Sequence, residues 1–332
     1  MEKKIKVVQM GLGPIGNKVT QYLSERPKIE IIAAIDADPA KVGQDVGLLG
    51  GLSPVGVKVT SDMDRALSSG DADVVVLTTT SRLDKVYQQL MEILPYRVSV
   101  VSSCEELSYP WLTMPEIAAH IDALARKYEV AVLSTGVNPG FMMDFLPVAM
   151  SGICRSIRKV TVERIQDATF RRIPFQEKIG AGLTLDEFDA RIEKGILRHV
   201  GLTESMHMIA SRLGWKLDKT EDIISPIVAE TQVKVNGVTI ESGNARGVQQ
   251  LGLGTVGGEE VVRLVFRAAI GEPGSRDRVI IDGSPSIDTC IEGGVNGDVA
   301  TCAILVNAIP VVAFARHGLR TMVDIEPISC CK

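Results

Sequence analysis

Short apolar runs alternate with amphipathic stretches through the first part of the chain. The runs are rich in branched residues at successive positions, so both faces of each strand are expected to be buried. Helices are predicted between them, near Asn17, Asp62, Leu83 and Pro115. This succession predicts a Rossmann-type, doubly wound parallel sheet of the α/β class. The runs are IKVVQM from Ile5, IEIIAAID from Ile29, VKVT from Val57, DVVVLTTT from Asp73, VSVVSS from Val98 and VAVLS from Val130.

The pattern changes after Phe141, where apolar and polar residues alternate along each strand, as in VTVERI. Such alternation is typical of a sheet with one solvated face. The segment TQVKVNGVTIES places Asn236 and Gly237 between two alternating runs, which predicts a hairpin because both turn residues must adopt positive φ. Together with helices near 185–196 and 203–213, these runs predict an α+β domain with a mixed or antiparallel sheet.

The tail from Asp298 returns to helical patterning and is expected to pack on the first domain. We therefore predict a Rossmann domain formed by residues 1–145 and 298–332. Residues 146–297 are predicted to form a substrate and dimerisation domain.

Composition excludes several classes of function. The 332 residues carry a formal net charge of -5, with 36 basic residues interleaved among 41 acidic ones, so a nucleic-acid partner is not expected. The longest apolar stretch, 302–315, is interrupted by polar residues and proline, and no apolar targeting core opens the chain, so we expect a cytoplasmic protein with no membrane partner. The four histidines and six cysteines show no metal-ligand spacing, so no metal is predicted, and most cysteines are interpreted as small core residues.

A glycine-rich turn follows the first predicted strand and opens a helix. In GLGPIG the spacing G-x-G-x-x-G lets backbone amides approach a pyrophosphate at the positive end of the helix. Asp36 ends the second strand, where a carboxylate accepts hydrogen bonds from ribose hydroxyls and repels a 2′-phosphate. NAD is therefore favoured over NADP, although Lys41 nearby leaves NADP open. The residues predicted to bind this cofactor are Gly11, Gly13, Pro14, Ile15, Gly16 and Asp36.

Hydroxyl and thiol side chains follow the fourth and fifth strands, at the sheet edge where ligands of such folds bind. Their contacts would be with the nicotinamide ribose, but each residue serves equally well as a helix cap. These candidates are Thr78, Thr79, Thr80, Ser103 and Cys104.

Two adjacent carboxylates, Glu105 and Glu106, come just after the fifth strand, where the nicotinamide is expected. Burial beside an apolar ring would raise the pKa of a carboxyl group there and suit it to act as general base. On residue chemistry alone, however, a Glu pair before a helix is more often a solvated first turn. Cys104 offers a further alternative as a thiol nucleophile, although no histidine partner is recognisable.

The segment STGVNPGF follows the sixth strand and predicts a rigid bend rich in glycine and proline. Asn138 would present an amide to the site, and Phe141 would line an apolar pocket. Core packing is the commoner role for such an aromatic residue.

Taken together, the segments VVQMGLGPIG, SSCEELSYP, STGVNPGFMMD and EGGVNGDVATCA resemble those of the 2,4-diaminopentanoate dehydrogenases within the native amine dehydrogenase family. This family has a dihydrodipicolinate-reductase-like framework, and the resemblance covers nearly the whole chain. It implies oxidative deamination of an amine with NAD or NADP, the reverse reaction being reductive amination of a ketone with ammonia, and it implies a homodimer.

The resemblance also implies roles for individual residues. The family's catalytic glutamate falls in the Glu pair, and we assign it to Glu105 with Glu106 as the alternative. Asn138, Phe141 and Thr301 match substrate-pocket positions, and Asn307 is expected to reach the cofactor from the tail. The substrate carboxylate needs a cationic partner, for which Arg164, Arg171 and Arg172 are candidates.

Two other classes of protein fit the same framework. One is a dihydrodipicolinate or sugar-type reductase, which would use a Lys, often with a His pair, and neither is found at CEELSYP. The other is a non-enzymatic sensor of NAD(H), which would need the cofactor cleft but no acid or base poised for catalysis.

Overall fold

The computed structural model describes residues 4–171, 173–235 and 237–330. The chain divides into two compact units, one formed by Met1–Phe141 with Asn296–Lys332 and the other by Met142–Val295. The predicted boundaries after residues 145 and 297 lie close to these. The C-terminal tail belongs to the first unit.

A sheet of seven parallel strands forms the centre of the first unit. Its strands are β1 (Ile5–Met10), β2 (Ile29–Ile35), β3 (Val59–Thr60), β4 (Val74–Leu77), β5 (Ser99–Ser102), β6 (Ala131–Ser134) and β15 (Gly318–Arg320). The order across the sheet is β15-β6-β5-β4-β1-β2-β3. Apart from the edge strand β15, this is the 3-2-1-4-5-6 order of the Rossmann fold. The predicted fold class is confirmed for this unit.

Helices cover this sheet with their buried apolar residues. In the helix after β4, Leu83, Val86, Leu90 and Ile93 recur at helical spacing and are all buried. They pack with Val75, one of the fully buried residues of β4. The helices of the unit are α1 (Pro14–Ser24), α2 (Val46–Leu49), α3 (Met63–Leu67), α4 (Leu83–Ile93), α5 (Pro115–Lys127) and α10 (Gly297–Val312), with 3-10 turns at Leu94–Tyr96 and Glu105–Leu107.

The second unit contains a mixed six-stranded sheet, as predicted. Its strands are β7 (Ser156–Asp167), β8 (Lys219–Val228), β11 (Ala245–Val256), β12 (Glu259–Ala269), β13 (Arg276–Ser284) and β14 (Ile287–Glu292). The order is β14-β13-β7-β12-β11-β8, in which β7 and β12 run parallel and the other pairs antiparallel.

One face of this sheet is covered by helix. A Cβ at Gly252 in β11 would lie 3.2 Å from the sulfur of Met206, so glycine permits the close approach of helix and strand. On the opposite face, apolar residues such as Leu251 and Val265 are half-buried. The helices of the unit are α6 (Phe145–Ser151), α7 (Ile173–Lys178), α8 (Leu185–Glu193) and α9 (Leu202–Leu213), of which α9 contains Met206.

The predicted hairpin is present as β9 (Val233–Val235) and β10 (Val238–Ile240), which pair antiparallel. Gly237 has φ +80°, as its turn requires, whereas Asn236 lies outside the described residues.

The cysteines do not all behave as core residues. Cys104 and Cys302 are buried, but Cys154 and Cys290 are half-buried and Cys330 is exposed, so the expectation fails for these three. Cys331 lies outside the described residues.

Among the described residues, no helix is long and apolar enough to cross a membrane. Within the same part of the chain, no three His, Cys, Asp or Glu side chains gather where they could hold a metal ion.

Candidate active site

The candidate residues of the first unit come together because five strands end in one row. Met10 pairs with Leu77, Leu77 with Ser102, and Ser102 with Ser134. Ile35, the last residue of β2, pairs with Met10 on the other side. From β2 to β5 the row covers three strand spacings, about 14 Å. The loops that carry Asp36, the glycine turn and the Glu pair therefore leave the sheet along one edge.

The glycine turn has one glycine that faces open space and two that do not. A Cβ at Gly16 would lie 1.8 Å from the carbonyl oxygen of Gly11, and a Cβ at Gly11 would lie 2.8 Å from backbone atoms of Thr78. Gly11 also has φ +90°, a conformation that favours glycine. Around Gly13, by contrast, no atom would lie within 4 Å of a Cβ. Two glycines thus close the turn, and the third leaves a surface that an incoming group can approach closely.

Helix α1 begins at this turn with its amides available. Gly13 is its N-cap and supplies no side-chain cap, and no acidic side chain lies in its first turn. Pro14, exposed at the first helical position, lacks the N–H that would have no partner there, and Ile15 beside it is half-buried. The positive end of the helix dipole adds to the N–H groups of this turn. The arrangement fits a pyrophosphate.

A buried glutamine that sequence reasoning missed supports the turn. The Gln9 side chain donates from Nε2 to the Gly11 carbonyl at 3.0 Å and to the Thr78 hydroxyl at 2.9 Å. The Thr78 hydroxyl in turn donates to the Gly11 carbonyl at 2.8 Å. The sequence did contain a signal for this role, because Gln9 is a polar residue inside the apolar run IKVVQM.

Asp36 is held at the end of β2 by several donors. Its Oδ2 accepts the Leu12 N–H at 2.7 Å, and its Oδ1 accepts the Asp38 N–H at 2.9 Å. The Lys41 ammonium lies 3.2 Å from Oδ2. Burial alone would raise the pKa of Asp36, but these hydrogen bonds and the ammonium hold it below the ordinary value. Asp36 is therefore an ionised acceptor next to the glycine turn.

The threonines after β4 are largely committed to local structure. The hydroxyl of Thr78 belongs to the glycine turn, and that of Thr79 donates to Gln89 Oε1 at 2.7 Å. Thr80 Oγ1 accepts the Arg82 N–H at 3.3 Å, just before α4. Thr80 thus has the cap-like role that was the alternative to ligand binding. The Thr78 hydroxyl is bonded within the glycine turn.

Cys104 is neither a nucleophile nor a side-chain ligand of the cofactor, which corrects both expectations. Its side chain is fully buried, its thiol donates to the Ser81 carbonyl at 3.2 Å, and burial raises the pKa of the thiol far above its ordinary value. A protonated, inaccessible thiol cannot attack a substrate. Ser103 differs, because its side chain is half-buried and no hydrogen bond to its hydroxyl is found among the described residues.

The two adjacent glutamates differ in their hydrogen-bond partners. The Glu106 carboxylate accepts the Leu83 N–H at 2.7 Å and so caps α4, whose own N-cap residue makes no side-chain cap. The half-buried Glu105 carboxylate has no hydrogen bond or ion pair within residues 4–171, 173–235 and 237–330. The Glu106 carboxylate is therefore held at the start of α4, whereas that of Glu105 has no such partner among the described residues.

The loop after β6 is a tight turn, as predicted. Gly140 has φ +130°, and a Cβ there would lie 2.4 Å from the Gly136 nitrogen. Thr301 in α10 accepts the Val137 N–H at 3.2 Å and so holds this turn. Asn138 is buried within it and Phe141, at its end, is half-buried.

Asn307 is placed away from the glycine turn, contrary to expectation. Its Oδ1 accepts from the Arg26 guanidinium at 3.0 Å, and Arg26 lies beyond the C-terminal end of α1. The start of α1 contacts a different part of α10, where the Cys302 thiol lies 3.8 Å from the Ile15 carbonyl. Helix α1 has 11 residues, about 16 Å of rise. Asn307 therefore joins two helices near the end of α1 that is remote from the glycine turn.

Among the candidate cationic partners in the second unit, Arg164 is already committed. It donates to Asp277 Oδ1 at 2.7 Å and to the Val295 carbonyl at 2.8 Å, and the two charged side chains are only 3% and 1% exposed. Arg171 stacks on the Phe175 ring at 4.0 Å. Arg172 lies outside the described residues.

A Rossmann sheet, an open glycine turn at a helix N-terminus and an acceptor carboxylate at the end of β2 define an NAD(P)-binding dehydrogenase. The sequence also matches two family models, "Dihydrodipicolinate reductase, N-terminus" over residues 5–104 and "2,4-diaminopentanoate dehydrogenase C-terminal domain" over residues 141–331. The chain belongs to the 2,4-diaminopentanoate dehydrogenase family of NAD(P)-dependent amine dehydrogenases. The predicted family and the predicted class of enzyme are confirmed.

Individual relatives support this membership. A 2,4-diaminopentanoate dehydrogenase of Acetoanaerobium sticklandii is 33% identical over 97% of this chain and 94% of its own length. An amine dehydrogenase of Streptomyces virginiae is 25% identical over 97% of this chain and 96% of its own. The solved amine dehydrogenase of Mycobacterium smegmatis shares the fold, with a TM-score of 0.86 and 24% identity over 99% of this chain and 98% of that one.

Proposed function

We propose that this enzyme oxidatively deaminates 2,4-diaminopentanoate at C4, yielding 2-amino-4-oxopentanoate and ammonia with reduction of NAD. In reverse it would reductively aminate a ketone. The observation that carries the proposal is the Glu105 carboxylate, which has no hydrogen-bond partner among the described residues and lies at the edge that holds the glycine turn and Asp36. Family membership supplies the class of substrate.

The residues present fit a dinucleotide. The open face of Gly13 and the first amides of α1 would hold its pyrophosphate, Asp36 would accept from the adenosine ribose, and Ser103 would contact the nicotinamide ribose. When bound, the nicotinamide supplies a hydride acceptor for the carbon that bears the amine.

Glu105 would perform the proton transfers. As a carboxylate it takes a proton from the substrate ammonium and releases it to solvent, so that the reacting nitrogen carries a lone pair and the glutamate is charged again. Loss of hydride leaves an iminium ion on the substrate, which the carboxylate stabilises by its charge. Glu105 then takes a proton from the water that attacks this carbon and gives it to the nitrogen. It accepts the hydroxyl proton as the C–N bond breaks and ammonia departs, leaving the ketone.

The substitution Glu105→Gln tests this role, because the amide keeps the size of the side chain but cannot accept a proton. We expect kcat to fall by about 100- to 10,000-fold, the usual contribution of a general base. The Kd for NADH, measured by fluorescence, should stay within about threefold. Glu116→Gln is the matched control, since Glu116 is an exposed glutamate in the first turn of α5. Unchanged kcat in Glu105→Gln would refute the assignment.

A substrate panel tests the specificity. The protein is mixed with NAD+ or NADP+ and the diamino acid, with alanine, ornithine and simple alkyl amines run in parallel, and nicotinamide reduction is followed by absorbance. Selective reduction with the diamino acid supports the proposal. Reduction with alkyl amines alone would keep the chemistry and change the substrate.

NAD is the cofactor we propose, with Asp36 as the determinant. Its carboxylate is ionised and would repel a 2′-phosphate, while Lys41 is engaged by Asp36 and, at 3.5 Å, by Asp38. Asp36→Ala removes both the acceptor and the repulsion. It should weaken NAD+ binding by about 10- to 100-fold, as expected for hydrogen bonds to a charged group, and strengthen NADP+ binding. An equal loss of affinity for NAD+ and NADP+ would contradict this role of Asp36.

We propose a homodimer that forms on the half-buried face of the second unit's sheet. Leu251 and Val265 project from that face, with Ile223 on its edge strand 45% exposed. Light scattering should give twice the chain mass, and Val265→Glu should give a monomer. We also propose a cytoplasmic enzyme, where thiols such as the exposed Cys330 stay reduced.

A further inference from the structure

The two adjacent glutamates lie in a single 3-10 turn, Glu105–Leu107, and its geometry separates their directions. A 3-10 helix has about three residues per turn, so successive side chains project roughly 120° apart. Leu107 is fully buried in the core of the first unit. Glu106 reaches the N-terminus of α4. With two of the three directions fixed, that of Glu105 is fixed as well.

Three hydrogen bonds join this turn to the segment that precedes and begins α4. The Cys104 thiol donates to the Ser81 carbonyl at 3.2 Å, and the Glu106 N–H donates to the same oxygen at 3.4 Å. The third, from the Leu83 N–H to Glu106 Oε2 at 2.7 Å, is the shortest and is made by a carboxylate at the positive end of a helix.

The other two bonds hold the turn to the α4 segment only weakly. The Glu106 N–H bond is long at 3.4 Å, and a thiol is a weak donor. The Glu106 side chain is therefore the strongest polar contact between the turn and the start of α4, while the Ser134 hydroxyl holds the preceding Cys104 carbonyl at 2.5 Å. A rotation of the turn about its axis would move the Glu105 carboxylate, whereas Leu107 is packed in the core.

We propose that Glu106 is a positioning residue, which aims the Glu105 carboxylate by capping α4. The inference rests on the proposed role of Glu105. It requires Glu106 to act as a hydrogen-bond acceptor at a fixed distance and not as a charge or a proton carrier. A misplacement of about 1 Å at a reacting group lowers rates by up to about 100-fold, so even a small rotation of the turn would be measurable.

Two substitutions separate distance from charge. Glu106→Gln keeps the length and an acceptor oxygen for the Leu83 N–H but removes the charge. Glu106→Asp keeps the charge but is one methylene shorter and cannot reach without moving the turn. Asp62→Ala is the control for a lost cap, because Asp62 caps α3 by accepting the Arg65 N–H at 3.1 Å in the same unit.

For each variant we would measure kcat, KM, the Kd for NADH, the melting temperature and the pH profile of kcat/KM. Glu106→Gln should retain at least about a third of wild-type kcat, whereas Glu106→Asp should lose about tenfold or more with little change in the Kd for NADH. The limb of the pH profile that Glu105→Gln abolishes should be displaced in Glu106→Asp. Asp62→Ala should lower the melting temperature and leave kcat and the pH profile unchanged.

Other results would overturn the proposal. Equal loss of kcat in Glu106→Gln and Glu106→Asp would make the charge the essential property. A lowered melting temperature with unchanged kcat and pH profile in Glu106→Asp would reduce Glu106 to a structural cap. If Glu105→Gln instead kept full turnover, the proposed function of Glu105 would fail whatever the Glu106 variants showed.

Discussion

Replacing Gly13 with alanine tests the cofactor site without disturbing the fold. Gly13 has φ −72°, which alanine adopts without strain, and its Cβ would meet no atom within 4 Å. The loss of glycine at an N-cap costs about 0.5–1 kcal/mol. A reduction of chain entropy in the unfolded state offsets this by about 0.4–1 kcal/mol. The stability of Gly13→Ala should therefore lie within about 1 kcal/mol of wild type.

Binding should respond differently, because the methyl group would fill the surface that we assign to the pyrophosphate. Losing one or two hydrogen bonds to a charged group costs about 1.5–3 kcal/mol, which corresponds to about 10- to 150-fold in Kd. Titration of NADH by fluorescence or calorimetry measures the change, and thermal melting without cofactor measures the stability.

Gly16→Ala provides the opposite pattern. Its Cβ would lie 1.8 Å from the Gly11 carbonyl oxygen in a closed turn, so the backbone must move, at a cost of about 3 kcal/mol or more. We expect a large fall in melting temperature for this variant alone. Wild-type affinity for NADH in a stable Gly13→Ala protein would refute the pyrophosphate assignment.

Two further predictions concern the second unit. Asp277→Asn leaves the buried Arg164 charge without its counter-ion and should lower the free energy of unfolding by about 3–5 kcal/mol. Asp282→Asn, at an exposed ion pair, should lower it by less than about 1 kcal/mol. Urea unfolding compares the two variants, and equal effects would contradict the role of burial. Hydrogen bonds from the Arg263 guanidinium and, to a smaller extent, from Lys159 lower the pKa of Glu260 to about 2. The stability that the ionised Glu260 contributes is therefore present above the ordinary carboxyl pKa and is lost as pH falls towards 2. Glu260→Gln should therefore melt lower than wild type near pH 6 and equally near pH 2, and a constant difference would oppose this.

Local signals in the sequence were sufficient for the sheet and the glycine turn. The spacing of Gly11, Gly13 and Gly16 and the position of Asp36 depend on residues that are near neighbours along the chain. The turn after β6 was likewise predicted from its own glycines and proline. Such features are set by backbone conformation, which short-range patterns report well.

Contacts between distant segments could not be predicted. Arg164 looked available for a substrate carboxylate because its partner Asp277 lies 113 residues away. Asn307 was expected at the cofactor because the register of α10 against α1 is set by packing. The choice between Glu105 and Glu106 depended on the start of α4, 23 residues before Glu106, where an N–H required an acceptor.

The most direct test of the account is product analysis. The protein is incubated with 2,4-diaminopentanoate and NAD+, and reduced nicotinamide, ammonia and the organic product are quantified, the last by NMR and mass spectrometry. We predict equal amounts of NADH, ammonia and 2-amino-4-oxopentanoate, with product formation abolished in Glu105→Gln. Tight binding of NADH without reduction of NAD+ by any amine, or loss of the C2 amine instead of the C4 amine, would contradict the account.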